Sequence, residues 1–476
     1  MKWVKFMKKT KIICSIGPSS IDPDIMEQMV NEGMNVARIN FSHSDYENAK
    51  KVVDSVKEVR KRTGKNIAVL YDTKGPEFRN DEMENNGVEL VNGKTIKVVK
   101  EHVLGNQERF SVNHPEVIDQ LEVGDCILLE NGLMKIEVIK KESDYVDCKI
   151  ISGGILKNKK SLNAPGVHLN IPFISEQDKA DIIYACHNDG DFLAASFVSC
   201  KEDVEALRKI ITAEGSNMKI IAKIENTMAI KNIDDIIDAS DGIMVARGDL
   251  GVEASLEDLP HYQKTIIRKT REYSKFVIVA TEMLESMKEN LRPTRAEVSD
   301  VANAIVDGTD AVMLSAETTV GKFPVETVRI MANICDKQEE YTRYNTNYNY
   351  SRKNNMVEMV AESACLCANE LDAKLIITGT LSGYTARKLS NMKPNAIIFA
   401  TCADAQTARS LNLYYGVETA VVDFYKSTDE MINHSIEVAK ERFNLKNGDL
   451  VVVTGGFTGE TYQEHTTNLM KIVNIK

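Results

Sequence analysis

No stretch of the chain comes near the ~18 consecutive apolar residues of a membrane span. A basic excess is lacking too: 59 Lys and Arg stand against 70 Asp and Glu, a formal net charge of −11. That balance argues against non-specific nucleic-acid binding. It still allows a local basic cleft for an anionic substrate. The opening MKWVKFMKKTKIICSIG is basic, but its apolar part, Ile12–Ile16, is too short for the hydrophobic region of a signal peptide. The nine cysteines are scattered, odd in number and without zinc-ligand spacing. Cys365 and Cys367, two positions apart, face different sides of a helix. They read as free thiols of a reducing cytosol, so the expected location is cytoplasmic, with neither membrane nor nucleic acid as partner. No Cys or His is well placed as a covalent nucleophile.

What is present is a soluble globular composition, 43% hydrophobic and 27% charged. The 476 residues suffice for two or three large cores. Apolar strand-like runs alternate with amphipathic helices from the start. Ile12–Ile16 is followed by a helix with Asp22 as cap and Pro23 in its first turn. Val36–Ile39, Ile67–Tyr71, Phe192–Phe197, Ile220–Ala222, Gly242–Ala246, Phe276–Ala280 and Ala311–Leu314 continue the series. Between Phe78 and Leu169 the rhythm changes to short β-rich pieces with Gly, Asn and Asp between them. That stretch reads as a small β-barrel lid inserted in a loop. Segments 1–77 and 170–341 hold eight strands in 249 residues, close to the ~250 of a (β/α)8 TIM barrel. A polar stretch, Tyr341–Ser351, reads as a linker. Residues 342–476 then read as an open α/β sheet.

The unusual polar residues stand where the barrel strands end: Arg38 to Ser42, Asp72, Lys223, Asp249, Thr281 and Ser315. In a (β/α)8 barrel that end carries the active site. Parallel neighbouring strands would bring Glu225 and Asp249 together. Two carboxylates about 4 Å apart repel by roughly 4 kcal/mol at an effective dielectric of about 20. A divalent cation removes that penalty, and oxygen donors with few protein contacts suit Mg²⁺. A structural ion pair of Lys223 with a carboxylate accounts for the local pattern equally well. Arg38, Lys223 and Arg79 can neutralise phosphates. Asn40, Ser42, Asp72 and Thr73 are hard oxygen donors for a second, weakly held cation. Such a set suits phosphoryl transfer, which depends on positioning and charge neutralisation. In the third unit, Thr380 to Thr385 precede a helix and can form an anion site or simply cap it. A second Gly/Thr-rich loop, Gly455–Thr461, ends the last long strand.

From end to end the chain resembles the pyruvate kinases. The resemblance rests on TKIICSIGPSS, GMNVARINFSH, DTKGPEFR, LNAPGVHLNIP, SEQDKADI, KIIAKIEN, SDGIMVARGDLGVE, LESM, RPTRAEVSDVANAIVDGTDAVMLSAET and TTNLMKI, in that order. It implies a catalytic barrel, a lid and a regulatory C-terminal domain, in a homotetramer. It also implies transfer of phosphate from phosphoenolpyruvate to ADP, giving pyruvate and ATP, the last step of glycolysis. The positions that match the family motifs make Lys223, Thr281, Ser315 and Glu317 catalytic. Arg38, Lys223, Ala246, Gly248, Asp249 and Thr281 would bind substrate, and Asn40, His43, Arg79 and Lys160 the nucleotide. Glu225 and Asp249 would hold Mg²⁺ (or Mn²⁺), while Asn40, Ser42, Asp72 and Thr73 would hold K⁺. Glu77 stands where K⁺-dependent members carry glutamate, which implies K⁺ dependence. Thr380, Ser382, Gly383 and Thr385, with Gly455–Thr461, would take a phosphorylated effector.

Four residues depart from the pattern: Ser44, Ser199, Glu282 (a usual Gln) and Ala316 (a usual Gly). Glu282 places a negative charge beside Thr281. A Mg²⁺-dependent aldolase or lyase on a similar barrel would share the carboxylate pair but would not need Arg79 or Lys160. A silent scaffolding relative would be expected to have lost Lys223 or a metal ligand, and this chain keeps both.

Overall fold

The computed structural model describes residues 8–167, 169–342, 356–423, 427–456 and 467–476. Eight parallel strands close into a barrel: β1 (Lys11–Ser15), β2 (Val36–Asn40), β3 (Ala68–Asp72), β4 (Phe192–Ala195), β5 (Lys219–Ile224), β6 (Gly242–Ala246), β7 (Phe276–Ala280) and β8 (Ala311–Leu314). β8 returns to β1, with Lys11 beside Ala311.

The strands are buried on both faces, which is why they read as unbroken apolar runs. Their side chains divide with a period of two. Ala37, Val69, Leu193, Ile220, Ile243 and Val277 pack outward under the helices. Ile13, Val36, Leu70, Ala194, Ile221 and Met244 belong to a second cluster that fills the barrel. The same alternation carries on to the strand ends. Ser15, Arg38, Asp72, Ser196, Lys223 and Glu225 therefore share the inward face and form a polar layer above the apolar filling.

Capping fixes where several helices begin. Asp22 caps Pro23–Glu32, and Asp45 caps Tyr46–Thr63, which ends at left-handed Gly64. Ser175 and Asp178 form a reciprocal cap at the start of Glu176–His187. After β5 the chain forms two short helices, Thr227–Lys231 and Ile233–Ala239. They are separated at Asn232, whose side chain turns to the Ser199 carbonyl at 2.9 Å. Arg247–Glu253, after β6, is a short helix.

Between β3 and β4 lies the lid. Its six-stranded sheet curls around an apolar core that includes Phe110, Ile136 and Val146. Strands Gly87–Leu90 and Gly154–Lys157 pair beside it.

The C-terminal part has four parallel strands, β9 (Leu375–Thr380), β10 (Ile397–Cys402), β11 (Val417–Val421) and β12 (Leu450–Gly455). An antiparallel β13 (Leu469–Asn474) completes the order β11-β10-β9-β12-β13. No strand was expected at β13. It is an edge strand with little buried surface, so it lacks the apolar run that marks the buried strands.

This part docks on the barrel face opposite the polar layer. The Tyr414 ring meets Phe276 edge-on at 5.1 Å. Lys393 Nζ is 2.7 Å from Asp310, Arg409 Nε is 2.8 Å from Asp191, and Lys11 Nζ is 3.1 Å from Glu418. The proposed linker beyond Thr342 and residues 457–461 of the Gly455–Thr461 loop lie outside the described residues. No helix among the described residues is long and apolar enough to cross a membrane.

Candidate active site

Lys223 is the centre of the polar layer. Its Nζ lies 2.6 Å from Ser196 Oγ, 3.1 Å from Asp72 Oδ1 and 2.9 Å from Glu225 Oε1. Asp72 also accepts from Arg38 Nε at 2.8 Å, and Arg38 Nη1 donates to Ser15 Oγ at 2.7 Å. All six side chains are largely buried, so the charges act through a low dielectric. Burial works against the Lys223 ammonium, but Asp72 and Glu225 outweigh it and raise its pKa above the ordinary lysine range. Burial likewise opposes the Asp72 carboxylate, and here Lys223 and Arg38 prevail, holding it below its usual range. The ion pair anticipated for Lys223 is therefore real. It does not exclude chemistry, because the pair sits at the mouth of the barrel rather than in its filling.

Glu225 has the opposite balance. Burial, with Asp249 nearby, pushes its carboxyl above the usual carboxylate range, despite Lys223 and an N–H from Phe197 at 2.5 Å. A carboxylate this short of compensating charge is one that a divalent cation would suit. Among the described residues no group of three or more His, Cys, Asp or Glu side chains converges on a metal site. Asp249 is near enough for its charge to act on Glu225, and an ion held by two carboxylates would take its remaining oxygens from substrate and water.

At the end of β7 the backbone is strained. Thr281 has φ +70° and Glu282 +53°. A β-branched residue in the left-handed region is a genuine outlier. Arg247 holds it there: Nη2 donates to the carbonyls of Thr281 at 2.6 Å and Glu282 at 3.2 Å. The guanidinium is anchored by two bonds from Nη1 to Asp300, at 2.8 and 2.6 Å. The Thr281 hydroxyl then accepts the Gly248 N–H at 2.8 Å and donates to the Ala280 carbonyl at 2.6 Å. Phe197, at φ +58°, is a second strained residue in the layer.

The remaining expected residues fall into three groups. Asn40, Ser42 and His43 lie on one loop, where Asn40 Oδ1 accepts the Ser42 N–H at 3.0 Å. Thr73, on the next loop, accepts the Ser196 N–H at 3.1 Å. Asn40 and Asp72 are direct strand partners, so these loops are neighbours. Ser315 follows β8, and its N–H goes to Glu317 Oε2 at 2.7 Å. The other Glu317 oxygen accepts the Leu284 N–H at 3.2 Å, and burial raises the Glu317 pKa. Ala246 ends β6.

The cations near the lid are already paired. Arg79 makes a two-bond fork with Glu77, both at 2.8 Å, and Lys160 Nζ lies 2.6 Å from Glu130. In the C-terminal part, Thr380 Oγ1 accepts the Gly383 N–H at 3.0 Å. Gly383 has φ +75° directly before the helix from Tyr384. Ser382 is exposed, and the Thr385 hydroxyl is 2.5 Å from that of Thr467. Lys388 turns to Glu358 at 2.6 Å, and Arg387 lies 5.7 Å from the Tyr384 ring.

Sequence reading missed Ser15, Ser196, Phe197 and Asp300, and gave Arg247 no role. Ser15 and Ser196 were reachable, since both keep parity with apolar inward residues two positions earlier. Nothing local marks the partnership of Arg247 and Asp300, which are 53 positions apart.

Comparison with known proteins follows the same division of the chain. The family model for the pyruvate kinase barrel domain matches residues 7–328, and that for the pyruvate kinase alpha/beta domain matches 358–473. A pyruvate kinase of Geobacillus stearothermophilus is 44% identical over 472 residues, covering 98% of this chain and 80% of that protein. One from Staphylococcus aureus (strain MRSA252) is 43% identical over 474 residues, with the same coverage. The crystal structure of a pyruvate kinase from Cryptosporidium parvum superposes with a TM-score of 0.91 at 36% identity, over 98% of this chain and 96% of that one. Matches that run through barrel and C-terminal sheet in one order leave a single assignment: the chain belongs to the pyruvate kinase family.

Proposed function

We propose that the chain transfers the phosphoryl group of phosphoenolpyruvate to ADP, giving pyruvate and ATP, the last step of glycolysis in the cytoplasm. The observation that carries this reading is the Lys223 ammonium, buried at the barrel mouth between Asp72 and Glu225, 2.6 Å from Ser196. Lys223 holds the charge of the phosphoryl group in transfer, and Arg38, oriented by Asp72 and Ser15, binds the substrate phosphate. The Gly248 N–H and Thr281 hydroxyl, which now face each other, turn to the substrate carboxylate, beside the backbone of Ala246 and Asp249. The hydroxyls of Thr281 and Ser315 then relay a proton from solvent to the enolate. Glu317 acts through Ser315 and Leu284, because both of its oxygens are held by their N–H groups.

Glu225 and Asp249 would hold Mg²⁺ (or Mn²⁺), which when bound neutralises phosphate charge. Asn40, Ser42, Asp72 and Thr73, mostly uncharged oxygen donors on adjoining loops, suit K⁺, and Glu77 agrees with a K⁺ requirement. Asn40, His43, Arg79 and Lys160 take the nucleotide. Thr380, Ser382, Gly383 and Thr385 take a phosphorylated effector, and the working form is a homotetramer.

The test is pyruvate formation from phosphoenolpyruvate and ADP with Mg²⁺, with and without K⁺, in wild type and Lys223→Met. Turnover that needs K⁺ and collapses in the variant is the expected result. Turnover without K⁺ would keep the kinase and remove the K⁺ assignment. No turnover from folded protein with effectors supplied would reject the reaction.

A further inference from the structure

The lid holds a carboxylate that none of these roles uses. Glu130 directly follows the strand Cys126–Leu129 and starts the turn into Met134–Lys141. Its carboxylate lies 2.6 Å from Lys160 Nζ, and both side chains are partly exposed, at 24% and 32%. The backbone around the pair is fixed. Leu129 pairs with Leu162 across the sheet, and the Glu130 N–H donates to the Ser161 carbonyl at 2.9 Å. The Lys160 N–H donates to Asn80 Oδ1 at 2.7 Å. The contact is therefore built into the lid rather than reached by a wandering side chain.

The backbone at Glu130 disfavours its own side chain. Glu130, Asn131 and Gly132 have φ of +50°, +55° and +82°. Asn and Gly tolerate the left-handed region, whereas glutamate has no local hydrogen bond to recommend it there. An Asn or Gly would serve the turn better, so the gain from glutamate lies in what its carboxylate touches. It touches one cation, Lys160. That cation is on the ribbon that also carries Arg79, whose neighbour across the bridge is Ser161.

We infer that Glu130 is an internal competitor for the nucleotide: it occupies Lys160 until the phosphates of a nucleoside diphosphate displace it. The inference rests on the reading of Lys160 as a nucleotide-binding group. Paired, Lys160 offers the phosphates no net charge. The phosphates must supply a stronger partner than one carboxylate, which a di-anionic or tri-anionic ligand does and a singly charged one does not. Glu130 thus raises the nucleotide concentration needed for turnover and discriminates in favour of multiply charged phosphates.

The test is steady-state kinetics in ADP at saturating phosphoenolpyruvate for wild type, Glu130→Gln, Glu130→Asn, Lys160→Met and the Glu130→Gln/Lys160→Met pair. Partly exposed ion pairs couple weakly, so Glu130→Gln should lower KM for ADP by about two- to fivefold. KM for phosphoenolpyruvate should stay put. Glu130→Asn, which suits the turn, should do the same without loss of thermal stability. In the Lys160→Met background the gain should vanish, which separates a contact with Lys160 from a general charge effect. An unchanged or raised KM for ADP in both Glu130 variants would overturn the inference, as would a gain that survives without Lys160. Lys160→Met leaving KM for ADP unmoved would instead remove the nucleotide role of Lys160 itself.

Discussion

Replacing Arg247 by alanine should cripple turnover although Arg247 touches no reacting atom. Thr281 sits at φ +70°, a conformation that costs about 1–3 kcal/mol. Arg247 offsets this with two charge-assisted bonds to the carbonyls of Thr281 and Glu282, at 2.6 and 3.2 Å. Such bonds contribute roughly 1.5–3 kcal/mol each, so together they exceed the strain. Without them the turn relaxes, and the Thr281 hydroxyl leaves the Gly248 N–H it meets at 2.8 Å. A misplacement worth about 2.7 kcal/mol is a ~100-fold loss of rate. Arg247→Ala should therefore lower kcat by about 100-fold, with a smaller change in KM for phosphoenolpyruvate. The stability cost should be modest, since the Asp300 side chain left behind is 36% exposed. Arg247→Lys should recover little, because one ammonium cannot hold Asp300 and two carbonyls at once. The assay is pyruvate release with thermal melting as a check on folding. A folded Arg247→Ala that keeps kcat within about twofold of wild type would refute the argument.

Three further outcomes are expected. Tyr184 stacks on Tyr46 at 4.4 Å, donates to its carbonyl at 3.0 Å, and lies edge-on to Phe41 at 6.2 Å, which clamps the loop of Asn40, Ser42 and His43. Tyr184→Ala should raise KM for ADP and the K⁺ needed for half activation several-fold, with Tyr184→Phe close to wild type; equal behaviour of the two variants would sink this. A Cβ on Gly242 would meet the Phe276 ring at 2.3 Å, so Gly242→Ala should destabilise by about 3 kcal/mol in denaturant unfolding, and an unshifted midpoint would contradict the packing. The Asp72 pKa is lowered in the folded state: burial opposes the carboxylate, but Lys223 and Arg38 overcome it. Its contribution is present above the unfolded value, near 3.9, and is lost as pH falls through the folded one. Melting of wild type against Asp72→Asn should show the wild-type advantage shrinking below about pH 4; a constant advantage would place the effect elsewhere.

How much of this was legible in the sequence follows from which interactions have a period. Burial on both strand faces leaves continuous apolar runs, so the barrel strands could be placed, and strand-end polarity pointed to Arg38, Asp72, Lys223 and Glu225. Parity then implied that Ser15 and Ser196 join them, an inference the letters permitted but did not force, since serine is unremarkable in a loop. The edge strand Leu469–Asn474 has neither a buried face nor a period, so it left no mark. Partner choice is less legible still. A charged side chain does not announce whether it meets solvent, a ligand or a carboxylate from a distant turn. Lys160 meeting Glu130, Arg79 meeting Glu77 and Arg247 meeting Asp300 are decided by geometry at separations of 30, 2 and 53 positions. On the roles proposed above, the inward-facing residues would specify which groups meet the substrate, whereas the paired carboxylates would govern how readily Lys160 and Arg79 are released to a ligand and how firmly Thr281 is held. Two chains with the same inward layer but different partners for these cations would share a reaction and differ in affinity and rate.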